Sequence, residues 1–339
     1  MPKYTKRKDG RYEKKITTKE GKRITFYGKT EKELFQNIME YEKKLEFGEL
    51  FKDVAWEWWD EAEQELSYQT KGSYKVALKE AIEYFNETYI KEIKPKHINE
   101  YINTFVKKGY AQKTISNKKM VLNRIFEYAV IKDYIEYNPC ASVKLPKNLP
   151  KSKRPPATPE EEKIILQSSD MWVFPYIALL AGLRRGEILA LQWKDIDFEN
   201  KIISVTKSIY YEGNKACIKE PKTKAGTRIV PLLDTLYNIL LPLKSNSEHF
   251  IVCNEDGTPI SKKKFRYQYN KFRKETGINA SAHQLRHSFA TIAFESGVQD
   301  KAVQEILGHK QLSTTMDIYT AFRKKSFDEV VDKMNKNMK

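Results

Sequence analysis

Apolar residues recur along this chain in two rhythms. Between Phe51 and about Val143 they fall at helical spacing. Tyr74, Ala77, Leu78, Ala81, Ile82 and Phe85 share one face; Leu122, Ile125, Phe126, Ala129 and Val130 share another, opposite Lys118, Lys119 and Arg124. The pattern predicts roughly four helices with apolar stripes as core and a basic outer face. Near the N-terminus the rhythm alternates instead: Arg11–Ile16 and Arg23–Tyr27, joined by Lys19-Glu20-Gly21-Lys22, predict a β-hairpin. Thr30 then opens a helix, with Glu33 completing a capping box and Leu34, Ile38, Tyr41 and Leu45 on its apolar face.

The second half mixes both rhythms. Thr158, Pro159 and Glu161 form a clean helix start. An apolar helix carrying Ile177, Leu180 and Ala181 ends at Gly182, while Lys201–Val205 and Arg228–Leu232 read as strands. Ser281 and Gln284 form a further capping box, and Gly297 ends that helix. Asp300 caps one that Gly308 ends, and Ser313 caps a last short one. Between the halves, Lys144–Pro159 holds five prolines, five Lys/Arg and no acid, which suits an extended basic strap. The fold class expected is multidomain and mainly α, with a small N-terminal sheet-plus-helix module, a helical domain and a mixed α/β domain.

Charge narrows the function. The 339 residues carry 61 Lys+Arg against 45 Asp+Glu, a net +16, and residues 1–29 hold eleven Lys/Arg against three Asp/Glu. Such an excess selects a polyanionic partner, nucleic acid foremost. A basic β-ribbon on a helix suits a DNA major groove. A membrane partner is disfavoured: the longest apolar run, near Val173–Leu183, is short and broken by Pro175 and Gly182. No signal-peptide pattern follows the basic start. Cys140, Cys217 and Cys253 are widely spaced and read as thiols of a cytosolic protein, with neither a disulfide framework nor a zinc site.

Candidate chemistry lies mostly near the C-terminus: His283-Gln284-Leu285-Arg286, Leu307-Gly308-His309, then Tyr319. Arg184 stands far upstream in Gly182-Leu183-Arg184-Arg185-Gly186-Glu187. Guanidinium forks match phosphate oxygens, and a tyrosine beside them is a nucleophile for phosphorus. The set points to a phosphodiester. His283 and His287 have the spacing of a zinc pair, but Gln284 occupies the base position and no third ligand follows suitably. Neither a magnesium-binding carboxylate cluster nor a phosphate-binding P-loop motif is present, so no cofactor is expected.

The order and spacing of these motifs resemble the tyrosine recombinases, specifically the three-domain integrases of phages and conjugative transposons. The resemblance covers nearly the whole chain and is carried by ALLAGLRRGEILALQWKDID, PKTKAGTRIVPL, HQLRHSFAT and LGHKQLSTTMDIYT. It implies an arm-type DNA-binding domain over 1–48, a helical core-binding (SAM-like) domain over 49–145, a basic linker over 146–158 and a catalytic domain over 159–339. It also implies that Tyr319 attacks a DNA phosphate to form a 3′-phosphotyrosine. Arg184 and Arg286 then stabilise the phosphate charge, His283 takes the proton, Lys222 protonates the leaving 5′-oxygen and His309 donates a hydrogen bond. Lys224, two residues from Lys222, competes for the lysine role.

Glu187 is expected to orient a guanidinium or backbone amides, and His287 to be supporting. The implied partners are double-stranded attachment sites of core and arm type, a homotetramer on DNA, an accessory DNA-bending protein and an excision directionality factor, in a bacterial cytoplasm at the nucleoid. Phe327, Val330, Val331 and Met334 stripe a terminal helix that docks either on a neighbouring protomer or on its own domain. The rival functions are a tyrosine-type topoisomerase, a resolvase or invertase, and a non-catalytic DNA binder.

Overall fold

The computed structural model describes residues 4–17, 21, 23–151, 155–168, 172–220 and 227–308. They fall in two compact units, Met1–Ser152 and Lys153–Lys339. The first begins with an antiparallel sheet ordered β1 (Thr5–Lys6), β2 (Tyr12–Thr17), β3 (Arg23–Gly28). The predicted hairpin forms strands β2 and β3, with Lys14 opposite Phe26 and Ile16 opposite Ile24; most of its turn lies outside the described residues. Helix α1 (Glu31–Phe47) covers this sheet, and Phe26 packs on Tyr41 with ring centroids 5.0 Å apart. Thr30 Oγ1 accepts from the Glu33 amide at 3.1 Å, but the Glu33 carboxylate passes Thr30 and accepts from the Lys29 amide at 2.6 Å. Leu34 and Ile38 are buried, whereas Leu45 is 61% exposed.

Four helices follow: α2 (Phe51–Ala62), α3 (Tyr68–Phe85), α4 (Pro95–Lys107) and α5 (Gln112–Ile131). Their apolar stripes meet as expected, with Phe51 seated 5.1 Å from Phe85 and 5.7 Å from Phe126, centroid to centroid. One residue departs from the expected basic face. Lys118 is buried, paired with Glu80 of α3 and lying over the rings of Phe105 and Tyr110. Two aromatic faces and one carboxylate replace the water its ammonium loses.

The strap between the halves is held at both ends. Leu149 is buried in the helical core, and the Pro150 carbonyl accepts from the Gln112 amide at 2.8 Å. Beyond residues 152–154, Ala157 is buried in the second unit and its amide donates to Ser288 Oγ at 3.0 Å.

The second unit opens with α6 (Pro159–Gln167), whose Thr158/Glu161 capping box forms in both directions, at 3.0 and 3.2 Å. Then come α7 (Phe174–Leu180) and α8 (Arg185–Ala190). Strands β4 (Ile196–Asp197), β5 (Ile202–Val205), β6 (Ser208–Glu212), β7 (Lys215–Lys219) and β8 (Arg228–Pro231) follow, then α9 (Asp234–Leu240), α10 (Lys262–Thr276), α11 (Ala282–Glu295) and α12 (Asp300–Leu307). The two predicted strands pair antiparallel as β5 and β8 in a sheet ordered β4-β5-β8, and β6-β7 is a separate hairpin. Helix α7 is the centre of the core: Phe174, Tyr176, Ile177, Ala178 and Leu179 are all buried, and α11 packs against it. Among the described residues, no helix is long and apolar enough to cross a membrane.

Candidate active site

Gly182 sets the geometry. It follows α7 with φ +62°, a left-handed conformation that glycine adopts without strain, and a Cβ there would strike the ring of Phe289. The reversal puts Arg184 at the N-cap of α8, and the Glu187 carboxylate, one turn on, accepts the Arg184 amide at 2.8 Å. Its Oε1 also accepts from Arg184 Nη1 at 2.8 Å. A second guanidinium reaches the same carboxylate from β8, with Arg228 Nη1 on Oε1 at 3.1 Å and Nη2 on Oε2 at 2.8 Å. Arg286 approaches from α11, its Nη1 3.9 Å from Oε2. The structure therefore joins Arg184 and Arg286, about a hundred residues apart, at one buried acid.

Helix α12 closes this cluster with its C-terminal carbonyls. The oxygens of Ile306, Leu307 and Gly308 accept in turn from Arg228 Nε at 2.5 Å, Arg286 Nη2 at 2.5 Å and Arg184 Nη2 at 2.7 Å. Arg286 Nη1 also donates to the Gly182 carbonyl at 2.6 Å. The carbonyl end of a helix is its negative end, so three cations there are favourable. Gly308, at φ +64°, turns the chain away from α12.

Charge in this site does not balance. Burial pushes the Glu187 carboxyl up, but Arg228 and then Arg184 outweigh it and hold the pKa at about 2. The group is ionised and its four acceptor positions are filled, so it orients guanidiniums and transfers no proton. Arg286 is pulled down to about 9, first by burial and then by the neighbouring Arg184 and Arg228, and stays cationic at neutral pH. Three positive charges thus share one negative charge. Arg184 is the exposed member, with 45% of its side chain open to solvent against 4% for Arg286. Among the described residues, the partners of both guanidiniums take Nη1 and Nη2, with one bond each, so each has donors to spare.

His283 stands exposed on the first turn of α11, above Arg286, and packs edge-to-face on His287 with centroids 4.3 Å apart. Burial, then His283 and Arg286, lower the His287 pKa to about 4, so His287 is a neutral support at pH 7. Ser281 anchors the turn beneath: its amide and hydroxyl both donate to Gln284 Oε1, at 3.1 and 2.9 Å. Among the described residues, no group of three His, Cys, Asp or Glu is placed to hold a metal ion. Lys222, Lys224, His309 and Tyr319 lie outside the described residues, as do Ser313 and the terminal stripe from Phe327 to Met334.

Residues 166–326 match the Phage integrase family and residues 51–145 the Phage integrase central domain. The Tyrosine recombinase XerC-like protein of Caldanaerobacter subterraneus subsp. tengcongensis is 30% identical across 92% of this chain and 91% of its own length. The chain is a tyrosine recombinase. The ICEBs1 integrase of Bacillus subtilis is likewise 30% identical, over 75% of this chain and 73% of its own. Among solved structures, the Tn1549 transposon integrase in complex with transposon right end DNA superposes with a TM-score of 0.67 at 23% identity. It covers 83% of this chain and 99% of that one. A lambda integrase tetramer bound to a Holliday junction gives 0.60 at 17% identity, covering 92% and 96%. These two establish the fold. With its family, the recombinase is a site-specific integrase acting on DNA, and the topoisomerase and binder readings are not favoured.

Two features of this recombinase escape a reading of sequence alone. Arg228 looks like an ordinary strand residue until β8 carries it to Glu187. Helix α10 holds seven Lys/Arg and one Glu. It buries Phe265, Tyr269 and Phe272 while Lys262, Lys263, Arg266, Tyr267, Lys271 and Lys274 are exposed. The signal for that face was the basic, aromatic-interleaved run KKKFRYQYNKFRK itself.

Proposed function

We propose that the arginine cluster seats the scissile phosphate of an attachment site, and that Tyr319 cleaves it through a 3′-phosphotyrosine. The observation that carries this reading is the charge surplus: Arg184 and Arg286 meet beside a single carboxylate, and an anion is the missing neutraliser. In the step proposed, the Tyr319 oxygen bonds to phosphorus and the bond to the 5′-oxygen breaks. His283 takes the phenolic proton, which is needed because a phenol ionises only near pH ~10. Lys222, or its neighbour Lys224, protonates the leaving oxygen. His309 donates to a phosphate oxygen. Charge growing on the non-bridging oxygens falls to Arg184 and Arg286. The covalent link retains the energy of the broken bond, so rejoining needs no nucleotide hydrolysis.

The remaining assignments belong to the same proposal. Residues 1–48 read arm-type sites, 49–145 bind the core site, 146–158 link, and 159–339 carry the chemistry, with the basic face of α10 adding phosphate contacts. The working unit is a homotetramer on DNA in the bacterial cytoplasm, aided by a DNA-bending protein and an excision directionality factor, integrating and excising a mobile element. The test is a nicked suicide duplex bearing the attachment site, incubated in EDTA with wild type and Tyr319→Phe. A denaturant-resistant adduct on the DNA 3′ end, with a free 5′-hydroxyl, in wild type alone is the expected result. No adduct from wild type on a site it binds would overturn the mechanism.

A further inference from the structure

Arg228 is the guanidinium to which the proposed chemistry gives no task. It stands 41 residues from Glu187, and only 7% of its side chain is exposed. All three of its nitrogens are engaged: Nη1 and Nη2 on the two oxygens of Glu187, Nε on the Ile306 carbonyl. A Cβ added to Gly308 would lie 3.2 Å from its Nη1, so the fork also rests against the turn that leads on to His309. With all three nitrogens held by protein partners, Arg228 is tied into the frame of the cluster.

Its partners are the ones that matter to Arg184. The exposed guanidinium of Arg184 leans on two groups, Glu187 Oε1 and the Gly308 carbonyl. Arg228 clamps the first directly and holds the second through Ile306, two residues earlier in the same turn. We propose that Arg228 is a positioning residue for strand cleavage, fixing Glu187 and the end of α12 so that Arg184 stands where the phosphate arrives. The inference rests on the phosphate role given to Arg184 above. Arg228 acts through Arg184 and does not touch the substrate.

Lysine separates this role from simple charge balance. Its donors radiate from one atom, so it supplies the same charge but cannot span both Glu187 oxygens and a carbonyl on the far side. If only charge mattered, Arg228→Lys would suffice; a clamp requires the fork.

The experiment measures DNA affinity and single-turnover adduct formation at saturating suicide duplex. It compares wild type, Arg228→Lys, Arg228→Gln, Arg184→Ala and the Arg184→Ala/Arg228→Lys double variant, with thermal melting to establish folding. Arg228→Lys should bind within about threefold of wild type yet form adduct about 100-fold more slowly, the scale of a misplaced reacting group. The double variant should be no slower than Arg184→Ala alone. Arg228→Gln keeps the question open to test should the lysine variant not melt cooperatively. Wild-type rates in Arg228→Lys, losses that multiply in the double variant, or affinity falling in step with rate would each overturn the role. Wild type that binds but forms no adduct fails earlier and sinks the phosphate reading itself.

Discussion

Two buried cationic sites in this molecule differ in charge balance. In the helical unit, Lys118 meets one carboxylate, Glu80, and two aromatic faces. One positive charge is matched by one negative charge, and nothing is left over. In the second unit, among the described residues, three guanidiniums share the single carboxylate of Glu187, and the rest is offset by backbone carbonyls, those at the end of α12 and that of Gly182. Burial of a cation is common to both, so burial alone does not mark chemistry. The unmatched surplus does, because it leaves a place for an anion.

Breaking each site should expose that difference. The largest effect is expected from Glu187→Ala, which leaves three adjacent cations without a counterion; urea unfolding should show a loss of about 3–5 kcal/mol. Acid acts on the same group. The folded-state pKa of Glu187 lies below its ordinary 4.5, at about 2, so its stabilisation is present above pH 4.5 and is lost as pH falls towards 2. The amount is on the order of 3 kcal/mol. His287 adds an earlier window. Its folded pKa is lowered from 6.5 to about 4, the unfolded chain takes the proton first, and stability falls between those values. Stability of His287→Asn measured from pH 7 to 4 should fall less steeply than that of wild type.

Gly182→Ala is expected to cost about 1–3 kcal/mol by forcing a left-handed residue against Phe289 and shifting the carbonyl that Arg286 holds. The smallest effect belongs to the balanced site. Lys118→Met fills a similar volume, and Glu80 is 32% exposed and can hydrate. Its stability should change by about 1 kcal/mol, with cleavage at the wild-type rate.

The same contrast explains what was legible in the sequence. Local signals carried far: Thr158, Pro159 and Glu161 define the start of α6, the alternation from Arg11 to Tyr27 marks β2 and β3, and the motifs around Arg184 and Arg286 single out two arginines that the fold brings to one carboxylate. What failed was whatever depends on a partner distant in sequence. Helical period places Lys118 on the outer face of α5, but Glu80 and two rings from other elements enclose it. Leu45 continues the stripe of α1 yet is 61% exposed, because a stripe does not encode how far its packing partner extends. Strands β1 and β4, two residues each, carry too few residues for a rhythm to show. The Arg228 clamp needs Glu187 and Ile306 brought to β8 from 41 and 78 residues away.

The most direct test of the account is the single-turnover cleavage rate of Arg184→Ala and Arg286→Ala at saturating DNA, measured beside Lys118→Met. The surplus-charge account predicts that both arginine variants, fully bound, lose about 100- to 1,000-fold in rate while Lys118→Met loses none. Arginine variants that cleave at wild-type speed once bound would contradict it.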